Sequence, residues 1–166
     1  MKREHMVGVI SDTHDHRLAI RKAVSVFNDA GCALVVHAGD IVAPFTVREF
    51  GKLAGRFIGV FGNNDGEKTG LSTAFAKIGS LHEPPHEFVY FGKRFVLMHA
   101  PDMLDTFLNR GDVDVVVYGH THALDIRPGK PFVINPGECC SWLTGRSTVV
   151  LLDLSSLQTE VIDLDV

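Results

Sequence analysis

The chain has 166 residues, 45% of them hydrophobic and 22% charged, with a formal net charge of -4. That length suits one domain over residues 1–166 with a full apolar core, and the composition is ordinary for a soluble globule. Mild acidity without a basic run argues against stable nucleic-acid binding, the apolar runs are too short to span a membrane, and the three cysteines Cys32, Cys139 and Cys140 are too few and too odd for a disulfide framework.

Along the chain, the run Val7–Ile10 is too short for a signal peptide, and with the sparse cysteines it predicts a cytoplasmic protein. The strand Met6–Ile10 is followed by Leu18, Ile20, Val24 and Phe27 at helical spacing, with Gly31 as the stop. A strand at Leu34–His37 precedes a helix whose inner face is expected to be Phe45, Val47, Phe50 and Leu53. The strand Phe57–Phe61 precedes a weaker helix carrying Leu71, Phe75 and Ile78, which ends near Gly79. This alternation predicts parallel strands joined by right-handed crossovers. Glu87–Phe91 and Arg94–Met98 read as a hairpin turning at Gly92-Lys93. A short helix at Met103–Leu108 leads to the apolar strand Val113–Tyr118, and short strands follow at Ala123–Arg127, Phe132–Ile134, Thr148–Asp153 and Thr159–Leu164. Two packed sheets with helices outside both would bury this set.

Five of the strand-like runs end in metal-competent residues: Val7–His14, Leu34–Asp40, Phe57–Asp65, Phe95–Ala100 and Val113–His122. Open α/β sheets place their sites at the carboxyl ends of strands, so these endings converge on one crevice. Asp12 and His14, like His120 and His122, stand at i and i+2, and in extended chain each pair would face one ion or two neighbouring ions. Asp40 and Asn63 each follow a glycine, which lets the backbone approach closely. With His99 the set is two carboxylates, one amide oxygen and four imidazoles. That exceeds one tetrahedral site and suits two ions sharing a carboxylate.

In order, Asp12-x-His14, Gly39-Asp40, Gly62-Asn63-x-Asp65, His99 and Gly119-His120-Thr121-His122 resemble the calcineurin-like metallophosphoesterase superfamily. The short length and the turn Asn135–Gly137 resemble its compact YfcE-type subgroup, and the likeness runs from about Val7 to Val150. The resemblance implies a four-layer α/β/β/α sandwich, with Asp12, His14 and His122 on one metal, Asn63, His99 and His120 on the other, and Asp40 bridging. It implies two divalent ions, with manganese favoured and nickel, zinc or iron also fitting, and hydrolysis of a phosphodiester by water held between them. Asp40, Asn63, Asn64 and His99 are then the residues at the chemistry. The implied substrate is a small phosphodiester, with cyclic nucleotides, oligonucleotide ends and glycerophosphodiesters all open; the composition predicts no stable nucleic-acid binding and no membrane, and because compact members often self-associate the resemblance allows a homo-oligomer.

Asn64 departs from the G-N-H-D of many members, whose histidine assists leaving-group departure. An amide donates a hydrogen bond but is no general acid near neutral pH, so diesters with good leaving groups are the expected substrates. The alternatives are a phosphomonoesterase and a retromer-subunit-like scaffold of the same fold, the latter weakened by seven competent residues. A metallo-β-lactamase-like hydrolase would need an H-x-H-x-D-H cluster, which the chain lacks.

Other motifs carry less. His82-Glu83-Pro84-Pro85-His86 satisfies H-E-x-x-H, but two prolines inside the required helix would break it. His37 reads as a core or supporting residue, His16 as a helix cap or a phosphate contact, and Asp65 as the residue orienting its loop. Cys139 and Cys140 read as packing residues, and Trp142 and Arg146 as structural or surface side chains.

Overall fold

The computed structural model describes residues 3–166; Met1 and Lys2 lie outside it. One sheet has the order β11-β10-β1-β2-β3-β4, built from Arg3–Ile10 (β1), Cys32–His37 (β2), Arg56–Val60 (β3), Gly79–His82 (β4), Thr148–Asp153 (β10) and Gln158–Asp163 (β11). The second has the order β5-β6-β7-β9-β8, from His86–Tyr90 (β5), Lys93–Leu97 (β6), Val115–Val117 (β7), Leu124–Arg127 (β8) and Phe132–Pro136 (β9). Strands β1 to β4 are mutually parallel, as are β6, β7 and β9, while β10, β11, β5 and β8 run antiparallel to their neighbours.

The apolar runs sit where both faces of a sheet are covered. Val7, Leu34, Val36, Phe95, Leu97, Val115, Val117 and Ile134 fill the space between the sheets. The outer face of the first sheet packs on α1 (Arg17–Asp29), α2 (Val47–Phe50) and α3 (Lys68–Phe75) through Ile20, Phe27, Phe50, Phe57 and Phe75. The outer face of the second packs on α4 (Leu104–Leu108) through Val96, Met98, Leu104 and Phe107. The four expected layers are present. Among the described residues no helix is long and apolar enough to cross a membrane.

Three local readings differ. Gly79 begins a strand: β4 adds to the edge of the first sheet, and a four-residue strand with every residue half-buried gives little periodic signal. The second helix is a 3₁₀ turn at Pro44–Thr46 running into four α-helical residues, and Phe45 is 50% exposed instead of facing inward. The hairpin turns at Phe91-Gly92, one residue early: both have positive φ (48° and 69°), the conformation a two-residue type I′ turn requires, and Tyr90 pairs with Lys93. Helix α1 does end at Gly31, whose φ of 74° is one that L side chains rarely adopt.

Candidate metal centre

Asp12 and His14 follow β1, Asp40 follows β2, Asn63 follows β3, His99 follows β6, and His120 and His122 follow β7. Backbone hydrogen bonds stitch these loops together. Asp12 N–H donates to Gly39 O at 3.0 Å, Thr13 N–H to Asp40 O at 3.1 Å and Gly119 N–H to His99 O at 2.8 Å. Two glycines allow this approach: a Cβ at Gly62 would collide with the Asp40 carboxylate, and one at Gly39 (φ 98°) would lie 2.7 Å from His99 Nδ1.

All seven residues gather at one place, in two halves joined by Asp40. Asp40 Oδ2 lies 3.4 Å from both His14 Nε2 and His99 Nε2. On one side, Asp12 Oδ1 is 3.4 Å from His122 Nε2 and 3.8 Å from His14 Nε2, and the two rings stack at 5.3 Å. On the other, Asn63 Oδ1 is 2.8 Å from His99 Nε2 and 3.0 Å from His120 Nδ1, with those nitrogens 3.3 Å apart. Asn64 donates to Asp40 twice, through its backbone N–H and through Nδ2, each at 2.8 Å.

The i, i+2 pairs do not achieve this by being extended. Asp12 (φ 51°), His14 (37°), Asp40 (61°), His120 (67°) and His122 (60°) all have left-handed backbone. Such φ values are costly for non-glycine residues and cluster at functional sites. The turn also divides His120 from His122, one to each half.

The donors fit divalent cations. Asp12 is fully buried; its Oδ2 accepts from Ser11 Oγ at 2.6 Å and His120 N–H at 3.1 Å, while among the described residues Oδ1 has no hydrogen-bond partner, and neither has His14 Nε2. Buried polar atoms left orphaned on facing side chains are costly unless something binds between them. Burial pushes Asp40 up, but His99 and Asn64 outweigh it and hold the carboxyl well below its ordinary value. The His99 pKa is pushed down by burial and further up by Asp40, ending raised; Asp12 raises that of His14. Such acid–imidazole pairing marks groups whose protons a cation can replace.

Supporting side chains fix the donors. His99 Nδ1 faces Ala38 O at 2.7 Å, which turns Nε2 toward Asp40. Asp65 accepts from Asp40 N–H and Gly62 N–H through Oδ2 and from Val42 N–H through Oδ1, so it orients its loop. His37 is buried, with Thr13 Oγ1 and Gly39 N–H as partners and Phe50 and Phe57 against its ring. His16 occupies the α1 N-cap without a side-chain capping bond; its ring packs on Trp142 at 4.5 Å. Trp142 is 59% exposed and donates to His14 O, and Arg146 forms a bidentate pair with Asp163 on β11. His82 and His86 stack at 3.6 Å across the turn between β4 and β5, on no helix, and Glu83 pairs with Lys68.

Two residues escaped the sequence reading. Asn135 donates to Gly119 O and Thr121 Oγ1 and so pins the loop that carries His120 and His122. Glu138 is buried and accepts from His122 Nδ1 at 2.5 Å, Leu143 N–H, Thr144 N–H and Thr144 Oγ1. Burial raises this carboxyl, but Thr144, His122 and Leu143 together hold it down to about 2. The only hint was the position of both in and beside the Asn135–Gly137 turn.

A phosphodiesterase, MJ0936 of Methanocaldococcus jannaschii, is 39% identical over 153 residues, covering 89% of this chain and 92% of that protein. A solved structure described as a novel archaeal phosphodiesterase matches with a TM-score of 0.90 at 36% identity, covering 95% of this chain and 99% of that one. The phosphoesterase YfcE from E. coli shares the fold, with a TM-score of 0.63 at 18% identity over 96% of this chain and 100% of that one. Residues 6–157 match the family model for the calcineurin-like phosphoesterase superfamily domain, and the chain belongs to that superfamily.

Proposed function

We propose that this phosphoesterase is a dinuclear metal-dependent phosphodiesterase. The observation that carries the reading is the position of Asp40, one carboxylate oxygen of which is equidistant at 3.4 Å from a histidine of each half. Asp12, His14 and His122 would hold one ion, Asn63, His99 and His120 the other, and Asp40 both. Bound there, two divalent ions supply Lewis acidity that lowers the pKa of water and offsets charge on the phosphoryl oxygens.

The chain's own residues prepare the rest. Ala38 O and Glu138 hold His99 and His122 with one nitrogen turned into the site, so no reorientation is needed when substrate arrives. Asn64 steadies Asp40 through two hydrogen bonds and is exposed at the mouth. His120 and Asn63 are also exposed, which supports a role for them in receiving an anionic substrate. Asn64 cannot give a proton to a departing alkoxide. The leaving group must therefore be stable as an anion, which favours activated diesters over alkyl monoesters. The borderline donor set suits manganese, nickel, zinc or iron better than calcium. A cytoplasmic location and a small-molecule substrate complete the proposal.

The seven competent donors favour this reading over a scaffold of the same fold. The test is chelation followed by re-addition of manganese, nickel, zinc or iron, with metal content measured and aryl diesters and monoesters assayed in parallel. Activity should vanish and return with two ions per chain, greater on diesters. Failure of every metal to restore diester hydrolysis would overturn the assignment.

A further inference from the structure

Cys140 stands beside the half of the centre built on Asp12. The segment after Pro136-Gly137 runs along the first loop: Cys139 N–H donates to Ser11 O at 3.0 Å and Cys140 N–H to Asp12 O at 3.1 Å. The two neighbouring thiols consequently part company. Cys139 packs in the core between the first sheet and its helices. Cys140 is equally buried, but its sulfur joins His14 and His122 in a group whose ligand atoms all lie within 4.8 Å of one another. With nitrogen at about 2.0–2.1 Å and sulfur at about 2.3 Å from an ion, neighbouring donors stand roughly 3–3.5 Å apart, closer than in this group by a distance that side-chain rotation can supply.

A second observation points to a ligand beside the same two histidines. Asp12 is fully buried, 3.4 Å from His122 Nε2 and 3.8 Å from His14 Nε2, and among the described residues neither its Oδ1 nor His14 Nε2 has a hydrogen-bond partner. The thiol's own contact is weak, Sγ to Glu138 Oε2 at 3.3 Å, and Glu138 is already engaged by His122 and the 143–144 backbone.

We propose that Cys140 is a fifth protein donor, as a thiolate, to the ion held by Asp12, His14, His122 and the bridging Asp40, and that this half takes a thiophilic cation such as zinc or ferrous iron. The other half, with only oxygen and nitrogen donors, keeps the preference for manganese. When the sulfur–cation bond forms, the thiol proton is released to solvent. Soft thiolate ligands select such ions, and a coordinating thiol is deprotonated by its metal. The inference rests on the dinuclear reading above and refines which metal sits where.

The experiment is titration of the metal-depleted full-length protein with cobalt(II), followed by absorption spectroscopy. A near-ultraviolet sulfur-to-cobalt charge-transfer band is expected alongside the visible ligand-field bands. Cys140→Ser should lose the former and keep the latter, while Cys139→Ala keeps both. Zinc affinity should drop about tenfold or more in Cys140→Ser, with manganese affinity little changed. Cobalt bound by the unaltered protein without a charge-transfer band overturns the thiolate assignment alone, and that reading does not depend on any variant folding. Cobalt that fails to bind at all, with no visible bands, overturns the metal centre itself.

Discussion

Glu138 Oε2 lies 2.5 Å from His122 Nδ1, and this contact decides which nitrogen of His122 faces Asp12. The carboxylate is itself immobilised by Leu143 and Thr144, so the imidazole is held by a fixed anchor. Removing such a partner weakens metal binding by about 10- to 100-fold. Glu138→Gln is therefore expected to raise the metal dissociation constant by that factor with the fold retained, as read by calorimetric titration and circular dichroism. Unaltered affinity would show that His122 needs no such anchor.

His120 is exposed and makes its side-chain contacts with Asn63 and His99, so its removal should spare the core. His120→Ala is expected to lower kcat/KM for an aryl diester by about 10²–10³, the range for losing one group that stabilises transition-state charge. The melting temperature of the metal-free protein should barely move. A variant that hydrolyses diesters at the parental rate would place the chemistry elsewhere.

Gly62 has no room for a side chain, because its Cβ would meet the Asp40 carboxylate. Gly62→Ala should displace Asp40, cost about 1–3 kcal/mol by overpacking and weaken metal binding together with activity. Urea denaturation and metal titration of the same preparation measure both, and a stability equal to the parent would contradict the close approach.

His37 is fully buried, and desolvation lowers its pKa from 6.5 to about 3. Its folded pKa lies below the unfolded one, so the unfolded chain binds a proton between these values that the folded chain refuses. The stability that His37 contributes is complete above pH 6.5 and is lost as pH falls toward 3, by about 1.4 kcal/mol per pH unit. Denaturant midpoints at a series of pH values should show this slope, and His37→Asn should flatten it. A flat profile in the parent would mean that His37 accepts a proton in place.

Asn64 donates to Asp40 at the mouth of the site but has no proton to give a leaving group. Asn64→His should raise turnover of esters with alkyl leaving groups by about tenfold, below the full 10²–10⁴ of an optimised general acid. Aryl substrates should gain little. Equal gains on both classes would argue that the residue acts through Asp40 alone.

Most of the layered fold, and the gathering of seven metal-competent side chains at one place, could be read from residue order. Parallel strands buried on both faces announce themselves as runs such as Val113–Tyr118, and donors such as Asp40 and His99 stand where those runs stop. Short-range pattern carries that information because strand period and loop position are local. What it could not supply were contacts between segments far apart in the chain. The Glu138 carboxylate becomes an anchor only because the turn at Pro136-Gly137 returns the chain beside His122, and the Cys140 sulfur comes near His14 and His122 only because its backbone pairs with Asp12. The left-handed turns at Asp12, His14, His120 and His122 were equally hidden, since nothing in D-x-H or H-T-H distinguishes a bent loop from an extended one. Edge strand β4 and the exposed Phe45 were missed for a related reason: their environment is set by neighbours brought in by folding, not by adjacent residues.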